Sequence, residues 1–512
     1  MTEARVGGPG VITSPVYRIK GQKSNWRYPD PRLTPEDCEI LRNVNLSERG
    51  TANSRTGYVL YNSTQLAGGE AGVGLFQETF KSGTEKRLVA TRTKMYTDDG
   101  TTRADITGSD FTGGVDDRFQ FEFLKDRILI NNRVDQIRTY SGSGNTADLT
   151  GTLWTKAGGM FVHKNLLMVY DTTESSIRQP TRVRWCDINR STFVVDITKW
   201  IAKNVYEIYD GGPPIVSAID NWGTALFFKK DGMYPGEIFY DDPGFNDFRL
   251  GKPQRGFSPL GKKLVARPEF VFGIAREGIF VIRPDMSFEI VTRDNDNMWK
   301  GLNKSRLQYA QPYIVEDEHQ VRTLVSSANN TSGHDQELVW DWETGDIWLD
   351  NPVHVHNIAE RIDISDVEQH WRVSTSGFIY KGNLSTYVDD AGTGFDWRIG
   401  MAPNDLGRPG QQKHVLNIKT IHRKRFGQQD VILRAYLDEG RSRTVTGTLA
   451  MAVEVQWNEG PSWNTGKGWP GASARRTDFE VNRHCESIAP EWTGSGPSGI
   501  EGYQVEYIPL EN

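Results

Sequence analysis

At 512 residues the chain is long enough for two or more domains, and its 60 Lys+Arg against 66 Asp+Glu leave a net charge of −6 with no basic or acidic block. That balance argues against a protein gripping nucleic acid through a broad cationic face, which rests on phosphate neutralisation, but not against one that lets DNA pass. Cys38, Cys186 and Cys485 are odd in number, far apart and without metal-type spacing, so reduced thiols are expected rather than a disulfide framework or a zinc site. The opening MTEARVGGPGVITSPVYRIKG lacks the apolar core of a secretion signal, and no later stretch nears the ~20 apolar residues of a membrane span, so a soluble chain is expected. A mean hydropathy of −0.56 beside 15 Trp, 18 Tyr, 22 Phe and 52 Gly describes short aromatic-rich strands joined by polar turns.

Residues 1–34, with Pro9, Pro15, Pro29 and Pro31 and no sustained periodicity, read as an extended arm: a disordered tail or a strap on a neighbouring subunit. In 35–84, a hairpin and linker region, NVNL, a turn at Gly50 and YVLY read as strand, turn, strand, with Arg42, Val44 and Leu46 on the inward face. From 85 to 394 one hairpin pattern recurs seven times, with first-strand anchors at Leu88, Ile128, Leu166, Ala225, Ile279, Leu338 and Phe378. Their mean interval of about 48 residues lies in the range of propeller blades. The intervals are uneven and no copied signature marks them, so an irregular β-propeller of about 6–8 blades is expected. Asp231-Gly232, Thr344-Gly345 and Gly382-Asn383 supply turn residues that tolerate positive φ. One segment, 197–211, carries Trp200, Ile201, Val205 and Ile208 near helical spacing ahead of Gly211, which predicts a helix. From 395 to 512 the alternation in KHVLNIKTIH and VILRAYLD predicts a separate antiparallel β-sandwich. The fold class is all-β throughout.

The segment holding Asn43, Asn45, Gly50, Arg55, Gly57 and Tyr58, an N-v-n-l-x-x-x-G-x-x-x-x-R-x-G-y pattern shortly before a propeller, resembles the opening of the tail hub and nozzle proteins of short-tailed bacteriophages. The propeller followed by a sandwich adds to the likeness, which covers most of the chain as architecture and loose pattern. The resemblance implies a structural virion protein: a subunit of a ring, a hexamer, below the portal and adaptor of a short tail, forming the conduit for DNA ejection. It further implies attachment of tail fibre or needle proteins, only transient, non-specific passage of double-stranded DNA, no membrane span, and residence in the virion tail after a soluble stage in the host cytoplasm.

Chemistry-bearing motifs are weak. His354 and His356 share a strand face but lack any zinc signature. Asp294-Asn295-Asp296-Asn297 opens like a calcium loop, yet Trp299 stands where Gly is needed and Ser305 where Glu is needed. DWETGDIW (341–348) has the acid-x-Gly-x-x-Trp spacing of Asp-box turns but occurs once, and no arginine set or paired carboxylates complete a glycosidase site. GGEAGVG and SGSGNTADLTG match no dinucleotide or phosphate loop. The sequence therefore yields no catalytic residue, cofactor site or metal site, and the expectation is a non-enzyme. His422-Arg423-Lys424-Arg425 reads by default as a solvated strand end, and alternatively as a candidate contact with DNA or an acidic neighbouring subunit through Arg423, Lys424 and Arg425. The alternative readings are a propeller that binds or cleaves carbohydrate at the mouth of its channel and, third, a plain protein-interaction propeller.

Overall fold

The computed structural model describes residues 11–23, 34–47, 51–189, 194–209, 212–242, 245–364, 367–382, 389–422, 431–438, 443–449, 475–495 and 499–510. Gly50 and the basic run Arg423, Lys424 and Arg425 lie outside them.

Among the described residues, seven blades of four antiparallel strands each follow one another around a ring, three of them lying within larger sheets. Their innermost strands are Gly72–Thr79, Gln120–Phe123, Lys156–His163, Ile215–Asn221, Val265–Arg267, Gln311–Val315 and His356–Ile364, in blades I to VII. Each innermost strand packs against the next, and that of blade VII packs back on that of blade I, so the ring closes. The seven hairpins of the sequence fall one to a blade. Several middle strands are buried on both faces, Ile128–Asn131, Phe270–Ile274 and Ile279–Ile282 throughout their lengths. Blades stacked face to face leave no solvent side, which is why these strands read as continuous apolar runs rather than alternations. The apolar clusters accordingly lie between neighbouring blades, such as Leu88 and Met95 against Ile128 and Tyr140 between I and II, or Phe272 against Trp340 between V and VI.

Closure of the ring joins distant parts of the chain. The outer strand of blade VII is Tyr58–Asn62, antiparallel to Ile379–Gly382, with Asp389–Asp390 pairing beyond it. The propeller thus begins at Tyr58, within what the sequence assigns to a hairpin and linker region, because a closed ring needs an early strand to pair with a late one. The hairpin expected between NVNL and YVLY is also rearranged: Val44–Ser47 pairs with Thr51–Ser54. Asn43 sits at φ 53° and breaks the alternation, so Leu41, Val44 and Leu46 are all buried while Arg42 is exposed, against the expected inward face.

The predicted helix over 197–211 does not form. Its described residues make turns and the strand Val205–Glu207, which completes blade III, because edge pairing and burial of Trp200 against Trp154 override a short helical spacing. Trp200 donates its indole N–H to the Ile197 carbonyl at 2.8 Å. The neighbouring Thr198 carbonyl abuts Gly151, which holds φ 74° and has no room for a Cβ. Gly151→Ala should therefore cost about 2–3 kcal/mol from backbone strain and displacement of that carbonyl. Urea denaturation checks this, and a loss under 0.5 kcal/mol would show that the loop simply moves aside.

The sandwich combines both ends of the chain. One sheet runs Val44–Ser47, Thr51–Ser54, Gly499–Pro509, Lys413–His422 and Arg475–Cys485, with Ile12–Thr13 and Tyr17–Arg18 also pairing on Gly499–Pro509. The described part of the arm is therefore laid on the chain's own sandwich. The facing sheet holds Cys38–Arg42, Asp396–Met401, Ile488–Ser495, Val431–Leu437 and Arg443–Leu449. Strand Val431–Leu437 alternates as predicted, with Val431, Leu433, Ala435 and Leu437 inward. Cys38–Arg42 also pairs in parallel with the outer strand of blade VI, Ile347–Asp350, so this sheet runs on into the propeller. Trp348 and Val339 of that blade share the sandwich core.

Candidate functional site

Five of the six positions carrying the tail-hub resemblance meet where the sandwich abuts blades VI and VII. Arg55 follows the strand Thr51–Ser54 and is 1 % exposed. It donates two hydrogen bonds to Asp390, at 3.0 and 2.7 Å, one to Asn43 Oδ1 at 3.0 Å and one to the Thr56 carbonyl at 3.0 Å. Its guanidinium lies 3.7 Å from the centre of the Phe395 ring. Burial works against this cation, but Asp390 holds its pKa above the ordinary arginine value. Asn43 reaches both domains: its amide donates to the Asp396 carbonyl at 2.7 Å, and its oxygen also accepts from Asn351 N–H at 2.7 Å. Asn45 accepts from Gln320 of blade VI at 2.8 Å. Gly57 is buried beside Tyr58, whose ring lies 3.7 Å from the Arg372 guanidinium. These residues form a latch rather than a reactive centre.

Behind the latch lies a buried charge network. Glu337 accepts from Tyr313 at 2.5 Å and from Arg372, and Arg322 stands 3.5 Å away. Burial pushes the Glu337 carboxyl up, yet Arg372 and Arg322 outweigh it and hold the pKa below the ordinary value. Asp350 fares otherwise: it is 1 % exposed, 3.9 Å from Arg322, and both carboxylate oxygens are buried without a hydrogen bond. Burial pushes it up to about 7 against the lowering pull of Arg322 and Arg55. Between its ordinary value and about 7 the folded chain holds a proton that the unfolded chain has released, so stability falls as pH rises through that window, and the loss is complete above it. Asp350→Asn removes this loss. Its stability relative to the parent should rise between pH 5 and pH 8 by about 2–4 kcal/mol, and a pH-independent difference in melting curves would mean that Asp350 is ionised throughout.

The propeller channel is the second candidate. The seven innermost strands surround a cavity of about 330 Å³ to which every blade contributes. Phe76 and Phe121 stack there at 5.2 Å. Charged side chains from the connecting loops, Arg118, Arg133 and Lys262, enter beside Glu122. Burial pushes the Glu122 carboxyl up to about 8 and, with Arg133 nearby, draws the Lys262 ammonium down to about 8. Arg118 is lowered to about 10 by burial.

A third feature is a groove on the sandwich lined by Arg42, Arg398 and Arg434. Arg42 and Arg398 stand opposite each other across adjacent strands. Glu491, buried, is shared by Arg398 at 2.6 Å and Arg434 at 3.3 Å. Like charges directly across a strand pair oppose sheet stability, and burial together with Arg398 lowers the pKa of Arg42.

The remaining sequence candidates have structural surroundings. His356 is buried, its pKa drawn well below the ordinary value by burial and by Arg372, and its ring meets Tyr380 edge-on. His354 stacks on Tyr380 at 4.9 Å. Among the described residues no group of three or more His, Cys, Asp or Glu is arranged to hold a metal ion. Asp296–Lys300 is a short helix. In DWETGDIW, Asp341 accepts from the backbone N–H groups of Glu343 and Thr344 at 2.9 and 3.0 Å, and Gly345 takes φ 77°. The motif is a hairpin turn beside buried Trp340 and Trp348. Sequence reasoning missed the channel cations and the sandwich arginines, which come from separate loops and strands with no shared local pattern.

No family model matches the chain, and no curated protein does. Among solved structures it is similar to the WD40 domain of Neurospora crassa Pan2, at 10 % identity and a TM-score of 0.38, over 65 % of this chain and 96 % of that one.

Proposed function

We propose that the chain is a structural subunit of a ring-shaped phage tail hub or nozzle, contributing to the wall of a DNA-ejection conduit and to the platform for neighbouring tail proteins. The observation that carries this reading is the latch: the described residues matching the tail-hub pattern converge where propeller and sandwich join, so the pattern marks a way of fixing two domains together. A wall subunit needs that rigidity, because neighbours in a closed ring meet through heterologous faces whose angle must repeat. The conduit in this reading runs between subunits, since the channel within the propeller has the size of a small-molecule site. The arginine groove on the sandwich is a surface suited to DNA phosphates or an acidic neighbour. A nearly balanced net charge is compatible with loose DNA contact, as firm cationic contacts resist sliding.

Virions and the purified chain test the reading together. The expected result is the chain in purified particles, detected by mass spectrometry, and ring-shaped assemblies near six times its 57.8 kDa mass in sedimentation and negative-stain images. Absence from particles, together with a monomer that binds neutral glycans, overturns it in favour of a carbohydrate-directed propeller.

A further inference from the structure

The charge balance inside the propeller channel is incomplete. Arg133 donates to the Gly158 carbonyl at 2.7 Å and to the Lys262 carbonyl at 3.1 Å. Those acceptors are neutral, so among the described residues its charge meets no carboxylate at contact distance. Lys262 places its ammonium 5.2 Å from the centre of the Tyr309 ring. Arg118, 6 % exposed, donates to the Asn357 side chain at 2.5 Å. Its nearest carboxylate among the described residues, Asp116, stands 3.9 Å away and is engaged by Arg306 at 2.8 Å. The other charges of the cavity are matched: Lys263 with Glu360 at 2.7 Å and Arg361 with Asp363 at 3.0 Å. Glu122 does not supply the missing charge near neutral pH, because burial keeps it protonated up to about 8.

Enclosed cations are normally paired or hydrogen-bonded to charge, since desolvation penalises a lone ion. Three cations converge here on a cavity at the lower end of small-ligand size. The stacked Phe76 and Phe121 rings supply an apolar wall, and Glu122 in its protonated form supplies a hydrogen-bond donor. An oxyanion fits this set, since guanidinium groups match the geometry of carboxylate and phosphate oxygens.

We propose that the propeller channel is a binding site for a small organic oxyanion, its carboxylate or phosphate seated among Arg118, Arg133 and Lys262 and the C–H face of its carbon frame lying against Phe76 and Phe121. This site is independent of the tail reading and survives its failure. The window of binding follows from the groups that face it. Lys262 faces Arg133, Arg118, Asp116, Asp117 and Tyr309, and Glu122 shares the cavity with the three cations, the Lys263–Glu360 pair and Arg361. As pH rises through about 8, Lys262 loses its charge and Glu122 gains one, so both changes weaken anion binding.

Titration calorimetry on the full chain decides the matter with glucose 6-phosphate, glucuronate, inorganic phosphate and uncharged glucose as probes. At least one of the two sugar anions should bind where glucose does not, and which one binds separates phosphate from carboxylate recognition. Lys262→Met and Arg133→Met should each weaken that binding tenfold or more, Lys262→Arg should retain it, and Lys156→Met, at an exposed position outside the cavity, should leave it unchanged. Binding at pH 9 should be at least tenfold weaker than at pH 7, and Glu122→Gln should reduce that ratio. The proposal is overturned if neither sugar anion binds, if only inorganic phosphate binds, or if Lys262→Met and Lys156→Met behave alike. Near-parental melting curves for Lys262→Arg and Lys262→Met separate loss of the site from loss of the fold.

Discussion

Arg55→Met should lower the stability of the chain by about 3–5 kcal/mol, the range for breaking a buried ion pair from one side. The substitution keeps the volume against Phe395 but removes both hydrogen bonds to Asp390, which is 1 % exposed and would keep only the Val353 N–H at 2.9 Å as compensation from this group of contacts. Asn43 loses one of its partners at the same stroke. Arg55→Lys should fall between parent and methionine variant, because one ammonium cannot serve two carboxylate oxygens, Asn43 and the Thr56 carbonyl together. Arg55→Met/Asp390→Asn should recover part of the loss, giving a coupling of about 1 kcal/mol or more in a double-mutant cycle. Equilibrium denaturation followed by tryptophan fluorescence reports this, since both domains carry buried tryptophans, Trp492 in the sandwich and Trp371 in blade VII among them. A methionine variant within 1 kcal/mol of the parent would show that the latch does not hold the two domains together.

Glu337→Gln should cost a similar amount, about 3–5 kcal/mol, because one carboxylate serves two arginines that are each 1 % exposed or less. Arg322 retains Glu318 at 2.6 Å, whereas the charge of Arg372 is matched chiefly through Glu337. The neighbouring Asp350 modifies the outcome. The charge on Glu337 is one of the influences that hold Asp350 protonated, so removing it lets Asp350 ionise at lower pH and take over part of the neutralisation of Arg322. Burial of Asp350 persists, so the single variant should show a smaller fall in stability than the parent as pH rises towards 7. The double variant Glu337→Gln/Asp350→Asn should be less stable than the two single effects predict. Strict additivity at pH 8 would mean that the two carboxyls do not communicate.

Much of the propeller was legible because stacked blades bury their middle strands on both faces and so leave conspicuous apolar runs. The irregular spacing has a simple origin. Leu88, Ile128, Leu166 and Ala225 lie on the second strand of their blades, but Ile279 and Leu338 lie on the third, and Phe378 just precedes a third strand. An anchor that slips from one strand to the next stretches some intervals and shortens others. The contribution of Tyr58–Asn62 to blade VII was not legible, because its partner lies about 320 residues away and nothing local distinguishes an edge strand that pairs late. The tail-hub pattern pointed to residues that do act together, yet their contacts with Asp390, Asn351 and Gln320 rest on long-range geometry. The channel cations are harder still, for Arg118, Arg133 and Lys262 enter from three connections and share only the axis they face. The helical spacing over 197–211 misled because Val205 and Tyr206 answered to a neighbouring strand.

The strand Tyr58–Asn62 also constrains how the molecule comes into being. During synthesis it emerges early, while its partner Ile379–Gly382 follows some 320 residues later, a wait of roughly 16 to 64 s at bacterial or eukaryotic elongation rates of about 5–20 residues per second. The strands Cys38–Arg42 and Thr51–Ser54 wait longer, for partners at 396–401 and 499–500. Throughout that interval the nascent chain carries unpaired strand edges, the surfaces most prone to mispairing between copies. The propeller can close only once Ile379–Gly382 has emerged, and the sandwich only once Gly499–Pro509 has, so closure of the ring precedes completion of the sandwich that packs on it.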